Sequence, residues 1–368
     1  MSVFLLVLGL LLFVGLVVVH EFGHFIVARR NGVDVEEFGI GFPPRAYSRK
    51  TKKGFLFTIN WLPIGGFVRL KGENDASTEP HSFGAATLGV KAKIMLAGVA
   101  LNLLAALVIF TALAWVGMPQ LLDNQFSVKS DTHVVHRSVL IGFVEPGSPA
   151  EKAHLQARDQ LISIGLPNQQ AKTVQSANDL PNITKQYGGQ IVQVNYKRGS
   201  QTEQVTVHLR TPKEAKDQGA LGIAPADYTL TRATWSAPVQ AAGVAWQFTA
   251  ATFKGLGTAL SALFRGDTGT ASQQVSGPVG IVVVLHAGSL LGYQFVLLIV
   301  GLISLSLAIM NILPIPALDG GRFYVLLLSR MFGKTVPKET EERIVGTSFV
   351  LLLLLIALIT VVDVKRYL

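Results

Sequence analysis

Apolar residues fall into long unbroken runs along this chain, and polar stretches of differing character separate them. Crossing a bilayer as a helix takes about 20 predominantly apolar residues. Four runs meet that length or come close to it, at 3–28, 94–117, 290–313 and 344–362. Between the second and third, from about residue 127 to 226, short alternating apolar and polar positions with turn residues between them predict strands of a mixed, water-facing domain. Residues 233–265 are apolar on one side only, with Trp235, Trp246, Lys254 and Arg265. Because Lys254 falls in the middle, an interfacial helix is expected there rather than a span. The piece 281–285 is too short to cross. The pattern thus divides the chain into an N-terminal membrane part at 1–117, a soluble insert at 127–226, an interfacial region at 233–287 and a C-terminal membrane part at 288–368. The predicted class is a polytopic α-helical membrane protein with four transmembrane helices.

Within the first polar stretch, 54–59 and 67–70 read as short strands flanking Trp61-Leu62-Pro63-Ile64-Gly65-Gly66, a β-hairpin. Gly65, Gly66 and Phe67 are candidates for a strand that pairs with an extended substrate; a purely structural hairpin is the alternative. In the soluble insert, Val144-Glu145-Pro146-Gly147-Ser148-Pro149-Ala150-Glu151-Lys152-Ala153 followed by Asp159-Gln160-Leu161-Ile162 predicts strand, turn, capped short helix and strand. Further strands are expected at 191–197 and 204–209, around a turn at Arg198-Gly199-Ser200. This order resembles a PDZ domain of the circularly permuted bacterial kind, an α+β fold. That resemblance makes Leu221, Gly222 and Ile223 the candidate loop for a peptide C-terminal carboxylate, and a size filter with no ligand is the other reading.

Composition agrees with a membrane class: 49% of the 368 residues are hydrophobic and 15% are charged, with a mean hydropathy of +0.43. Soluble domains carry about 25% charged residues. The formal charge of +9 does not point to nucleic acid, because the cations stand beside apolar runs rather than in one aromatic-laced patch. Residues 29–93 hold eleven Lys/Arg and residues 1–28 none. The positive-inside rule therefore puts this loop in the cytoplasm and the N-terminus outside. Arg330, Lys334, Lys338 and Arg343 place the last loop inside again, leaving the C-terminus and the soluble insert extracytoplasmic. With no cysteine, thiolate ligands, cysteine catalysis and disulfides are excluded.

The chemistry sits where polarity is most costly. His20-Glu21-Phe22-Gly23-His24 ends the first apolar run, and residues four apart on a helix share one face, so both imidazoles can reach one metal ion. Glu21 can take a proton from a metal-bound water. Counted back from Arg29 at 1.5 Å per residue, His24 lies ~8 Å and His20 ~14 Å inside the membrane boundary. After the third run comes Asn311-Ile312-Leu313-Pro314-Ile315-Pro316-Ala317-Leu318-Asp319-Gly320-Gly321-Arg322. Its prolines break the helix, which at membrane depth is tolerated where backbone lines a cavity or is buried in protein. Asp319 is either the carboxylate that a two-histidine zinc site lacks or a helix N-cap. Asn102, in the second run, is either a helix-packing amide or part of the site. His133, His136, His154, His208 and His286 have no spacing partner.

Together these residues resemble the bacterial site-2 proteases, close to the regulator-of-sigma-E protease group of intramembrane zinc metalloproteases. His20-Glu21-Phe22-Gly23-His24 stands at its zinc motif and Leu318-Asp319-Gly320 at its third ligand. Gly98-Val99-Ala100-Leu101-Asn102 is similar to its G-P-x-x-N, with Val99 in place of proline. Ile64-Gly65-Gly66-Phe67-Val68-Arg69 resembles its membrane-associated β-hairpin and Ser276-Gly277-Pro278-Val279-Gly280 a further signature. Many relatives carry two PDZ domains, and this chain has room for one. The resemblance implies one Zn²⁺ on His20, His24 and Asp319, with Glu21 as catalytic base. In such a site Asn102 and Asn311 are candidate donors to substrate backbone or a developing oxyanion. The resemblance also implies single-span substrates, such as anti-sigma factors or remnant signal peptides, in the bacterial inner membrane, with the active site towards the cytoplasm. The alternatives are a PDZ-bearing scaffold or a metal permease with a non-catalytic zinc site.

Overall fold

A computed structural model describes residues 2–73, 79–199, 201–215, 219–333 and 337–367. Ser200 and Lys334, and the side chains of Pro63, Ile64 and Lys338, lie outside the described residues. The chain forms two compact units, one made of Met1–Leu113 with Pro238–Leu368 and one of Ala114–Ala237.

The first unit opens with α1 (Ser2–Arg30), apolar on every side until its last turns. Arg29 and Arg30 in the last turn oppose the negative end of the helix dipole. Next come β1 (Val35–Lys50) and β2 (Leu56–Leu70). They make a curled sheet in which residues 37–40 pair with 66–69 on one side and 56–59 on the other. The expected strands, from Leu56 onward, belong to the single long β2, and the sequence pattern does not show their partner β1. Gly39, Gly41, Pro43 and Pro44 interrupt β1 and hide its alternation. Two of the sheet's glycines are sites of close approach: the Phe67 ring covers Gly39 and the Phe42 ring covers Gly65. Buried Glu37 holds the curl together, accepting from Arg45 at 2.9 Å, Arg69 at 3.0 Å and Thr58 at 3.0 Å. Then α2 (Leu88–Val116) follows as a second apolar helix.

The second unit carries β3 (Met118–Pro119), β4 (His133–Val144), α3 (Pro149–Lys152), β5 (Gln160–Gly165), β6 (Lys172–Thr173), α4 (Asp179–Gln186), β7 (Ile191–Arg198), β8 (Gln201–His208), α5 (Pro212–Ala215) and β9 (Ile223–Arg232). Its sheet runs β3-β9-β4-β5-β7-β8, with β6 paired to β5. Alternate strand positions such as Val139, Ile141, Leu161, Ile164, Val192 and Val194 fill the core. Ser148 caps α3 by accepting from Glu151 N, with a proline in the first turn, as the serine–proline pair dictates.

The chain then returns to the first unit through α6 (Ala237–Phe264), α7 (Thr268–Gln273), α8 (Pro278–Leu291), α9 (Tyr293–Ile312), α10 (Asp319–Phe332) and α11 (Lys338–Tyr367). Among the described residues four helices are long and apolar enough to cross a membrane: Val3–Arg30, Leu88–Val116, Tyr293–Ile312 and Glu339–Tyr367. The third begins later than the expected 290, because Gly292, at φ 115°, separates the short α8 from α9. Leu5, Leu16, Leu285, Val296 and Val300 pack α1 against α8 and α9. A second cluster, Ala28, Val33, Val35, Leu70, Phe83, Ile94 and Met95, joins the end of α1 to the sheet and to α2, with Phe323 and Leu326 of α10 against it.

Candidate metal centre

The helical repeat of α1 stacks His20 and His24 with ring centroids 4.9 Å apart and planes at 76°. Their Nε2 atoms are 3.3 Å apart. The third group comes from the far end of the sequence. Pro314 and Pro316 prevent α9 from continuing, and the chain turns through hydrogen bonds from Ile315 N to Leu313 O and from Leu318 N to Ile315 O, each 2.8 Å. Leu318 takes the N-cap position of α10, and Asp319 follows it with Oδ2 turned towards the histidines. Oδ2 lies 3.0 Å from His20 Nε2 and 3.2 Å from His24 Nε2.

These three separations test whether the residues suit a metal. A tetrahedral zinc with bonds of about 2.0–2.1 Å to nitrogen and oxygen has ligand–ligand edges of about 3.3 Å. The measured edges, 3.0, 3.2 and 3.3 Å, nearly match one face of that tetrahedron. Asp319 Oδ2 is also shielded from solvent with no hydrogen-bond donor, a condition that costs free energy unless a cation satisfies it. The donors present therefore fit Zn²⁺.

The outer nitrogens are held as well. His24 Nδ1 is 2.8 Å from Ile94 O, so it carries the proton and donates, which leaves Nε2 bare for a metal. His20 Nδ1 faces the side-chain amide of Asn102 at 3.3 Å. Asn102 is fully buried, and its backbone carbonyl accepts from Ser304 Oγ at 2.8 Å. Gly98, one turn before Asn102, is required by close approach: a Cβ there would stand 2.5 Å from His20 Cε1 and 2.6 Å from His24 Nε2. Gly320 is required for the same reason, with a Cβ 2.5 Å from Ile312 O. Glu21 is beside the sheet, since a Cβ on Gly66 would lie 3.2 Å from Glu21 Cγ.

The other residues singled out in the sequence have partners of their own. Asn311 spends an amide proton on Leu307 O of its own helix at 3.0 Å. Gly66 and Phe67 pair with Ile40 and Gly39, and Gly65 occupies φ +97° beneath Phe42. Gly222 has φ +75°, and the carbonyls of Leu221 and Gly222 accept from Ala150 N at 3.1 Å and Glu145 N at 3.0 Å, while Ile223 starts β9. Sequence reasoning passed over two polar ties, Glu73 to Arg322 and Asp363 to the start of α8. The one available signal for the second was a lone carboxylate one residue past an uncharged span.

Comparison with known proteins extends the picture from the site to the chain. The model of peptidase family M50 matches residues 8–355. A Clostridium acetobutylicum protein bearing a zinc metalloprotease name is 30% identical over 365 residues, covering 99% of this chain and 98% of its own. The zinc metalloprotease RasP of Geobacillus kaustophilus is 25% identical over 438 aligned positions, covering 97% of each chain. A protein of Enterococcus faecalis named as protease eep is 26% identical and covers 99% and 98%.

Proposed function

The chain belongs to peptidase family M50, the site-2 protease family, and from that premise we propose that this membrane zinc metalloprotease cuts single-span proteins within the bilayer at the cluster around His20, His24 and Asp319. The observation that carries the proposal is the convergence of three donor atoms at 3.0, 3.2 and 3.3 Å. When bound there, zinc makes water more acidic and polarises the scissile carbonyl.

The remaining work falls to the chain. Glu21 takes the proton of the attacking water and returns it to the leaving amine. Ile94 O and Asn102 fix the two imidazoles from behind. With Nε2 of His20 facing the metal, Nδ1 carries the proton and needs an acceptor. A half-turn of the Asn102 amide offers Oδ1, which is buried and otherwise without a partner. Asn102 is thus a positioning residue, and its complete burial argues against contact with substrate. Asn311 has a second amide proton free of the Leu307 bond and remains the candidate donor to substrate.

A helical substrate hides its peptide bonds, and exposing them unpaired in lipid costs several kcal/mol each. Residues 66–69 offer a remedy: β1 covers one edge, and among the described residues no strand covers the other. Gly66 on this stretch is beside Glu21, so Gly65, Gly66 and Phe67 would hold an unwound substrate as an added strand.

For the second unit we propose a permuted PDZ domain. In support, among the described residues the outer edge of β9 pairs with β3 at Leu230 and Thr231 and accepts from Gln120 N at Thr229 O, and no strand pairs with 223–228 on that side, next to the Leu221-Gly222-Ile223 turn. Such an edge suits a peptide C-terminus. By the cation distribution, this unit and both termini lie outside the bacterial inner membrane and the metal towards the cytoplasm. Anti-sigma factors and remnant signal peptides are the substrate classes proposed.

Glu21→Gln tests the chemistry. Zinc content should stay at one ion per chain while cleavage of a model transmembrane substrate falls by at least ~100-fold. Cleavage near the wild-type rate would remove Glu21 from the mechanism, and loss of zinc would make it a ligand instead.

A further inference from the structure

Zinc-site geometry here depends on two helices, α1 and α10, that meet only through folding. One side-chain tie reaches the turn bearing Asp319 from the sheet. Arg322 Nη1 is 2.6 Å from Glu73 Oε1, a charge-assisted contact between side chains 29% and 17% exposed. Arg322 lies three residues after Asp319, on the neighbouring turn of the same face of α10. Glu73 stands just past the end of β2, and its other oxygen accepts from Leu70 N at 3.3 Å, which anchors the carboxylate to the strand end. Upstream on that strand, Gly66 abuts Glu21. Phe323, next to Arg322, packs on the cluster that contains Leu70.

These contacts close a circuit. His20, Glu21 and His24 sit on α1, the sheet rests on Glu21, Glu73 leaves the sheet, and Arg322 leads back to Asp319. We propose that the Glu73–Arg322 pair is a strap that sets Asp319 against the histidine pair, so that the third zinc ligand is placed by the same strand that stands beside the catalytic base. Neither residue is among the three whose donor atoms converge, and both act as positioning residues. The contact is charge-assisted and partly shielded, so removing one partner leaves the other unpaired and costs more than the pair itself contributes. Residues that hold metal ligands in place typically alter metal affinity by about 10–100-fold.

The inference rests on Asp319 being a ligand, and the experiment separates the two claims. Full-length zinc-loaded enzyme in detergent micelles is mixed with excess chelator and zinc release is timed, alongside melting of the metal-free protein. Asp319→Asn should release zinc far faster than wild type. Glu73→Gln and Arg322→Gln should release it ~10–100-fold faster with the metal-free melting temperature unchanged. Glu73→Arg with Arg322→Glu together should return release close to wild type, while either reversal alone does not. If Asp319→Asn releases quickly and the Glu73 and Arg322 variants do not, the strap is refuted and the ligand stands. If Asp319→Asn keeps its zinc, both fall. Faster release only in step with a lowered metal-free melting temperature, or a double reversal no better than the single ones, would make the pair an ordinary brace.

Discussion

His20 and His24 present the same nitrogen to one point, and what differs is the group behind each ring. A backbone carbonyl, Ile94 O, holds His24 at 2.8 Å, and no side-chain substitution at that position removes it. His20 depends on the Asn102 side chain at 3.3 Å, so the two imidazoles are unequally vulnerable. Asn102→Leu should weaken zinc binding by ~10–100-fold, read by competition with a chelator of known affinity. A residue that served only the substrate or oxyanion would instead lower turnover with zinc affinity intact. That second result would return Asn102 to the substrate side of the site.

Elements in this protein are joined by a few buried polar ties set among apolar contacts, and α11 is the clearest case. Asp363 near its end is fully buried and accepts from Gly277 N and Gly280 N, each at 2.8 Å. Those amides open α8, where the helix dipole favours a negative charge. Gly277 and Gly280 must be small for α11 to come so close: a Cβ would stand 3.0 Å and 3.1 Å from Asp363 Oδ2. This gives the Ser276-Gly277-Pro278-Val279-Gly280 stretch a physical reason, since its glycines make room and its amides bind the carboxylate. Replacing Asp363 with Leu strands both amides, and a buried unpaired donor costs about 1–3 kcal/mol. Thermal unfolding in micelles should show a loss of at least that size. An unchanged melting temperature would mean that α11 is held by its other contacts, among them Ala317 N to Ser348 Oγ and Arg366 to Ser272 O.

At the scale of the whole molecule, the second unit is closed where its chain enters and leaves. Asp131 accepts from Thr234 N at 2.8 Å, Ser236 N at 3.0 Å and Ser236 Oγ at 2.6 Å, and from Thr234 Oγ1. Burial alone would raise its pKa, but the hydrogen bonds from Ser236 and Thr234 outweigh that and hold the carboxyl well below the usual carboxylate range. In the unfolded chain the same group titrates near 3.8. A depressed folded pKa gives stability that is complete above the unfolded value and drains away as pH falls towards the folded one. The unit should therefore lose stability as pH drops below about 4, and Asp131→Asn should flatten that slope while lowering stability at neutral pH. Denaturant titrations of the two proteins across that range decide it; parallel slopes would assign the acid sensitivity elsewhere.

Much about this protein was legible from short stretches. The spacing of His20 and His24 puts both on one face of any helix, because the 3.6-residue repeat follows from local backbone geometry. Span lengths and the alternation after residue 127 are local in the same sense, and Asp319 could be named from the broken helix around it. What local pattern left out was everything decided by elements meeting. No spacing rule predicts that Oδ2 of Asp319 arrives about 3 Å from both imidazoles, that Asn102 stands behind His20, or that β1 curls between two parts of β2. Nor did any local pattern link Glu73 to Arg322 or Asp363 to Gly277. Such pairings join residues far apart in sequence, and packing of apolar surfaces brings them together. Tertiary structure alone therefore brought Asp319 to the two imidazoles and set the groups behind them.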